Sequence, residues 1–198
     1  MTQPSPQLLS TAIHCDHLIC AGTAYFPQVI PEDQWPDGSL LRGEDRAYWS
    51  DRTCGLACLM SVSSFHRRAV PTIFDLLREG LQSGCYTGRG WLHAGLASLG
   101  EAHGIRGEAL PAPTVDDLRT CLESTAGPLI ASVTRQFPED GRSGGHLVVV
   151  TAVGDGPEAL ICFRDPSDWG MEESRIPAKR FSASYAGRVI AFPAPGAG

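Results

Sequence analysis

Three residues stand where their side chains could do chemistry together. Cys54 lies in Thr53-Cys54-Gly55-Leu56-Ala57-Cys58-Leu59-Met60, where a polar loop gives way to an apolar pattern of helical spacing. His146 follows Gly144-Gly145 and opens the run Leu147-Val148-Val149-Val150. Asp165 closes the next run, Ile161-Cys162-Phe163-Arg164, and precedes Pro166. A thiol ionises more readily at a helix start, where unpaired amides and the helix dipole favour the anion. An imidazole beside it strengthens the effect, and a carboxylate on the other ring nitrogen fixes the imidazole's orientation. The expected chemistry is acyl transfer through a thioester. Each residue also has a plain structural reading. Cys54 could be a small buried hydrophobe, as expected of Cys58, Cys85, Cys121 and Cys162. His146 could be a loop histidine, and Asp165 before proline could start a turn.

Register strengthens the chemical reading. Gly154-Asp155-Gly156 predicts a turn, and the midpoint between His146 and Asp165 falls inside it. If the two flanking strands pair without a bulge, these side chains stand opposite each other, about 5 Å apart at Cβ.

The elements that must position the three residues read as an α+β chain. Residues 1–48 are broken by Pro4, Pro6, Pro27, Pro31 and Pro36 and predict an irregular arm. Residues 49–125 predict a helical half. It holds a nucleophile helix over 51–67 capped by Asp51 or Thr53, and a second helix from Thr72 to Gly80. A glycine-rich loop over 84–90 follows, then a third helix from Trp91 to Gly104 and a fourth from Thr114. Residues 126–192 predict the sheet half, with strands at 129–133, 147–153, 159–163 and 188–192. Helices first and strands afterwards imply N-terminal helices packed on a C-terminal antiparallel sheet, within one domain over 1–198.

Composition bounds the partners. The 198 residues are 42% hydrophobic and 19% charged, with a formal net charge of −6 and no basic arm. Nucleic-acid binding is not expected. Neither a secretory signal nor a membrane-spanning run is seen. Seven cysteines without paired spacing suggest reduced thiols in a cytoplasm. His14-Cys15-Asp16-His17 with Cys20 carries metal-ligating residue types but lacks the paired spacing of a zinc site, so no metal is expected.

The ordered motifs resemble the papain-like clan, in particular the bacteriocin-leader peptidases and their stand-alone relatives. They are Trp49-x-x-Arg52-x-Cys54-Gly55 with Cys58-Leu59-Met60, then Gly90-Trp91-Leu92-His93-x-Gly95-Leu96, then Gly144-Gly145-His146-Leu147-Val148-Val149 to Asp165-Pro166, and finally Phe181-x-x-x-Tyr185-x-Gly187-Arg188. The resemblance implies a papain-like cysteine peptidase fold, with Cys54 as nucleophile, His146 as base and Asp165 as orienter. Those peptidases carry a glutamine six residues before the nucleophile as an oxyanion donor, and here that position is Tyr48. The Cys54 backbone N–H remains, with the Tyr48 phenol or the Trp49 indole as the expected second donor. Losing a good donor costs roughly 3–4 kcal/mol of transition-state stabilisation.

That departure fits a narrower resemblance, to the lincosamide condensing enzymes of actinobacterial antibiotic biosynthesis, which are amide synthases. It implies an aminoacyl group taken from a carrier-protein thioester to a small amine. No cofactor is then needed beyond the phosphopantetheine of the carrier. Hydrolysis of a peptide is the alternative, and a non-catalytic peptide-binding relative is a second. Trp49, Trp91 and His93 are candidate substrate walls, with Trp35 a further aromatic. His66, Arg67 and Arg68 are candidates for carrier docking, or simply complement the dipole of the nucleophile helix. The oligomeric state is left open.

Overall fold

The computed structural model describes Cys20 and residues 22–196. After a short 3-10 turn at Glu32–Gln34 the chain forms α1 (Arg46–Ser50), α2 (Cys54–Phe65) and α3 (Ile73–Gln82). A small hairpin of β1 (Tyr86–Thr87) and β2 (Gly90–Trp91) precedes α4 (His93–Ala102). Then come β3 (Glu108–Pro111), α5 (Val115–Thr125), β4 (Leu129–Val133), β5 (His146–Val153) and β6 (Leu160–Arg164). The chain ends with β7 (Arg175–Pro177), α6 (Ala178–Ser184) and β8 (Tyr185–Ala191).

The architecture is α+β around a six-stranded antiparallel sheet of order β3-β8-β4-β5-β6-β7. Its two central strands, β4 and β5, are buried almost end to end, which explains their unbroken apolar runs. Successive side chains on a strand face opposite ways. Leu147 and Val149 of β5 join one core with Leu56, Leu59 and Val62 of α2. Val148 and Val150 join a second core with Leu118 and Leu122 of α5. Helices therefore cover both faces of the sheet.

The cap expected at Thr72 forms, and Thr114, where the fourth helix was expected to begin, also caps it. Thr72 accepts from the Asp75 amide, and Thr114 with Asp117 makes a reciprocal capping box. Thr53 differs. It holds the N-cap position of α2, but its hydroxyl donates instead to the backbone carbonyls of Gln28 and Ser50. Trp91 lies on β2, outside the predicted helix, because Leu92 takes an extended conformation before α4. Strands β3 and β7 and helix α6 were not predicted. β3 and β7 are short edge strands, and β3 ends on Pro111.

The irregular segment around residue 28 joins the two halves. The Gln28 amide N–H donates to the Pro166 carbonyl (2.8 Å), and its side-chain amide donates to the Ser50 carbonyl (3.3 Å). Its own carbonyl accepts from Thr53. One buried residue thus holds the segment before Cys54 to the segment after Asp165.

Cys20, Cys54, Cys58, Cys85 and Cys121 carry free thiols. Among the described residues no helix is long and apolar enough to cross a membrane. His14, Cys15, Asp16 and His17 lie outside the described residues.

Thr53→Val keeps the side-chain shape and removes the hydroxyl that binds Gln28. We expect a loss of about 1–3 kcal/mol, the cost of deleting one partner of a buried hydrogen bond. The measurement is urea unfolding, with a lower midpoint and an unchanged slope.

Candidate active site

Cys54 is the first residue of α2 and is buried at its start. A helix leaves its first amides without internal partners, so the Cys54 N–H faces away from the helical ladder. Gly55 permits close packing there. A Cβ on it would meet Leu96 at 2.9 Å, Leu147 at 3.0 Å and Trp91 at 3.2 Å. Trp91 in turn donates its indole N–H to the Arg52 carbonyl at 2.6 Å, clamping the turn before the thiol.

His146 opens β5 after Gly144 (φ 83°) and Gly145 (φ 87°), two successive left-handed conformations that explain the glycine pair. Its Nε2 lies 2.7 Å from Asp165 Oδ1. The same oxygen accepts from the Ser167 amide at 2.8 Å. The other carboxylate oxygen, Oδ2, is buried without a partner.

The expected register needs a correction. Val149 pairs with Arg164 and Val150 with Phe163, and a bulge lies between Val150 and Ala152. Asp165 is therefore set diagonally to His146 across the pair, not opposite it. The contact survives because diagonal neighbours across a strand pair stay within reach of long side chains. Asp165 sits just past the end of β6, where a 3-10 turn at Asp168–Met171 folds back over it. Gly170 makes that approach possible: a Cβ there would lie 2.0 Å from the Asp165 carbonyl oxygen.

Burial alone would lower the His146 pKa. Hydrogen bonds to Asp165 and to Cys54, with the negative charge of both, outweigh burial and raise it to about 9. Burial alone would raise the Asp165 pKa, yet the His146 partner and the Ser167 hydrogen bonds bring it below the ordinary carboxylate value. The result favours the imidazolium form of His146 at neutral pH, beside Cys54 and Asp165. Cys58, one turn further along α2, behaves oppositely. Burial, followed by the charges of Cys54 and Asp165, pushes its thiol well up, and its Sγ is taken by the Leu147 carbonyl at 3.3 Å.

Cys54 and His146 open into a cavity of about 820 Å³ between the helical half and the sheet. Trp91 and His93 line it. The His93 Nε2 has no partner, and burial followed by the charge of Arg188 lowers its pKa. Trp49 does not line the cavity. It is 2% exposed, and its indole donates to the Leu41 carbonyl at 2.9 Å, so it serves neither as oxyanion donor nor as substrate wall. Its ring instead backs Tyr86, edge to face at 5.2 Å. Tyr48 is likewise off the cavity, and the Arg52 guanidinium covers its ring at 3.8 Å. Trp35 packs on Phe74 and donates to the Ser39 carbonyl, away from the site.

Arg52 and Tyr86 reach the cavity where Tyr48 and Trp49 were expected. Burial raises the Tyr86 pKa first, then the Tyr48 charge adds to it, while Arg52 opposes; the Cys54 charge also acts on this phenol. Arg52 stands in the quoted motif, but its role could not be read from spacing. The role of Gln28, in a proline-broken segment, carries no pattern at all. His66, Arg67 and Arg68 lie at the other end of α2, roughly 18 Å along its axis from Cys54. They line a separate recess of about 450 Å³ with Arg106 and residues 193–195.

The fold is that of C39-like peptidase domains, a papain-like architecture. A C39-like peptidase from Bacillus anthracis superposes with a TM-score of 0.59 at 16% identity, covering 91% of this chain and 99% of its own. The peptidase domain of Streptococcus ComA, a bifunctional ABC transporter of a quorum-sensing pathway, superposes with a TM-score of 0.54 at 20% identity, covering 73% of this chain and 93% of that domain. No protein-family model matches the chain, and no curated protein matches it.

Two outcomes are expected. His146 has a folded pKa above its unfolded value of 6.5, so its contribution is full below 6.5 and fades as pH rises towards about 9. His66 and His93, held low by burial, act in the opposite sense below 6.5. The stability difference between the native chain and His146→Ala isolates the first effect. In urea titrations it should shrink steadily between pH 6.5 and about 9. Separately, Gly170→Ala should displace Asp165. We expect a loss of about 1–3 kcal/mol from overpacking and at least tenfold slower alkylation of Cys54 by a neutral reagent.

Proposed function

We propose that this chain is a cysteine acyl-transfer enzyme of the peptidase type, with Cys54 as nucleophile, His146 as acid and base, and Asp165 as the residue that orients His146. The observation that carries the reading is the buried 2.7 Å contact of His146 with Asp165, in a cavity that the thiol of Cys54 shares at a helix start. The Cys54 thiolate attacks the substrate carbonyl, and the C=O electrons move to oxygen. The backbone N–H of Cys54 bonds that oxyanion. Collapse restores the carbonyl and expels the leaving group, which takes the imidazolium proton. Neutral His146 then removes a proton from the incoming nucleophile, and attack on the thioester frees Cys54. Asp165 keeps its charge throughout and holds Nε2–H.

Water as the second nucleophile makes the enzyme a peptidase, and the fold favours this outcome. A specific observation supports amide synthesis as a second reading. No side-chain amide occupies the position of the peptidase glutamine; Tyr48 is there, stacked under Arg52. A thioester donor is already activated and needs less oxyanion stabilisation than an amide. In that reading a carrier protein delivers the acyl thioester and docks at His66, Arg67 and Arg68, with a small amine as acceptor.

The test is turnover of two substrates by the full chain. One is an unmodified peptide with a Gly-Gly junction, the other an aminoacyl thioester with and without amines, with products identified by mass. Cys54→Ala should abolish all turnover, by at least 10³-fold, whereas Cys58→Ala should retain most of it. Peptide cleavage supports hydrolysis; amide formation without peptide cleavage supports synthesis. Full activity in Cys54→Ala would sink both.

A further inference from the structure

The cavity beside Cys54 is basic in an acidic protein. Four arginines line it, Arg52, Arg89, Arg135 and Arg188, against a single acid, Asp51, while the whole chain carries a net charge of −6. Among the described residues, the arginines that form ion pairs are Arg78, Arg119 and Arg142, all away from this cavity. Arg52 is committed in part, donating to the Tyr48 carbonyl at 2.9 Å. Arg89, Arg135 and Arg188 are exposed. Gathering guanidinium groups around a concave surface costs repulsion unless something anionic is meant to enter.

The arginines approach from three separate elements. Arg89 lies in the turn of the β1–β2 hairpin, Arg135 follows β4, and Arg188 stands on β8. Arg188 acts on His93, whose Nε2 has no partner, so these two side chains share one wall. Ser132 of β4 lines the same wall, with its hydroxyl close to Gly144 rather than engaged elsewhere in the sheet. β8 and β5 are separated by β4 alone, so Arg188 lies two strand spacings, roughly 10 Å, from the strand of His146. Trp91, Leu92 and Leu147 add apolar lining.

The geometry points to a substrate that carries an anionic group, a carboxylate or a phosphate monoester, bound by Arg188 and Arg135 about 10 Å from the reacting carbonyl. An apolar stretch between the two ends lies against Trp91 and Leu147. This specifies the substrate of the acyl-transfer reaction and rests on Cys54 being its nucleophile.

Two arms test it on the full chain. In the first, Cys54 is alkylated by iodoacetate and by iodoacetamide, each rate is divided by that of a free small thiol, and the label is mapped by mass. A basic cavity concentrates the anion, so the normalised ratio should favour iodoacetate by about tenfold or more at low salt. It should fall towards one with added salt and in the double variant Arg135→Gln/Arg188→Gln. A ratio of one or less in the native chain, or one unmoved in the double variant, overturns the proposal. If neither reagent labels Cys54, the nucleophile reading fails, and the second arm decides the cavity alone. Cys54→Ala protein is titrated with glutarate and with phenyl phosphate by calorimetry. Saturable binding that weakens at least tenfold with Arg188→Gln supports the anion site, and the tighter ligand identifies carboxylate or phosphate. No saturable binding of either overturns it.

Discussion

A buried carboxylate governs the arrangement of this molecule. Asp165 is fully shielded from solvent, and an isolated charge there would be costly. Its stability depends on partners that arrive from elsewhere in the chain: the His146 ring and the Ser167 amide on one oxygen. The turn that covers it fits only because residue 170 is glycine. What could have been a liability becomes the means of fixing the imidazole. A ring held on one side by an anion presents its other nitrogen in a set direction, and Cys54 lies in that direction.

The thiol comes from the other half of the molecule, so the halves must be held in register. The interface between α2 and β5 does this through apolar packing, with Leu147 against α2. Gln28 adds a directional link, since it bonds both the turn before Cys54 and the turn after Asp165. Trp91 acts similarly on the helical side. It fills the space left by Gly55 and Gly80 and holds the Arg52 carbonyl. Aromatic contacts then run from Trp49 through Tyr86 to Trp91, so the cavity wall is backed by core.

Much of this was legible in the residues alone, for identifiable reasons. The caps at Thr72 and Thr114 depend on local chemistry, which sequence records directly. The central strands were clear because both their faces are buried. His146 and Asp165 could be paired because the register near them differs from the expected one by two residues, which leaves Asp165 on a diagonal from His146. The slip arises at the turn, where Val153 pairs with Ile161 and the hairpin centres past Gly154-Asp155-Gly156; the bulge at residues 150–152 then shifts the pairing back by one, and neither has a local signature. Tyr48 and Trp49 were misplaced as donors because spacing from Cys54 does not reveal which way a one-turn helix faces; Trp49 turned into the core and Arg52 into the cavity. β3 and β7 carry too few residues to show a period. Gln28 functions only through partners far away in the chain.

The separation of the three residues along the chain also bears on synthesis of the protein. Cys54 leaves the ribosome well before Asp165. At ordinary rates the intervening stretch of chain takes on the order of ten seconds to be made. Throughout that interval no imidazole or carboxylate stands beside the thiol, and it has the modest reactivity of any free cysteine. Gln28, although made earliest, cannot close its link to Pro166 until that residue emerges. The nascent chain is therefore chemically quiet, and an incomplete or truncated product would be equally so. The proposed centre comes into being only with the completed fold.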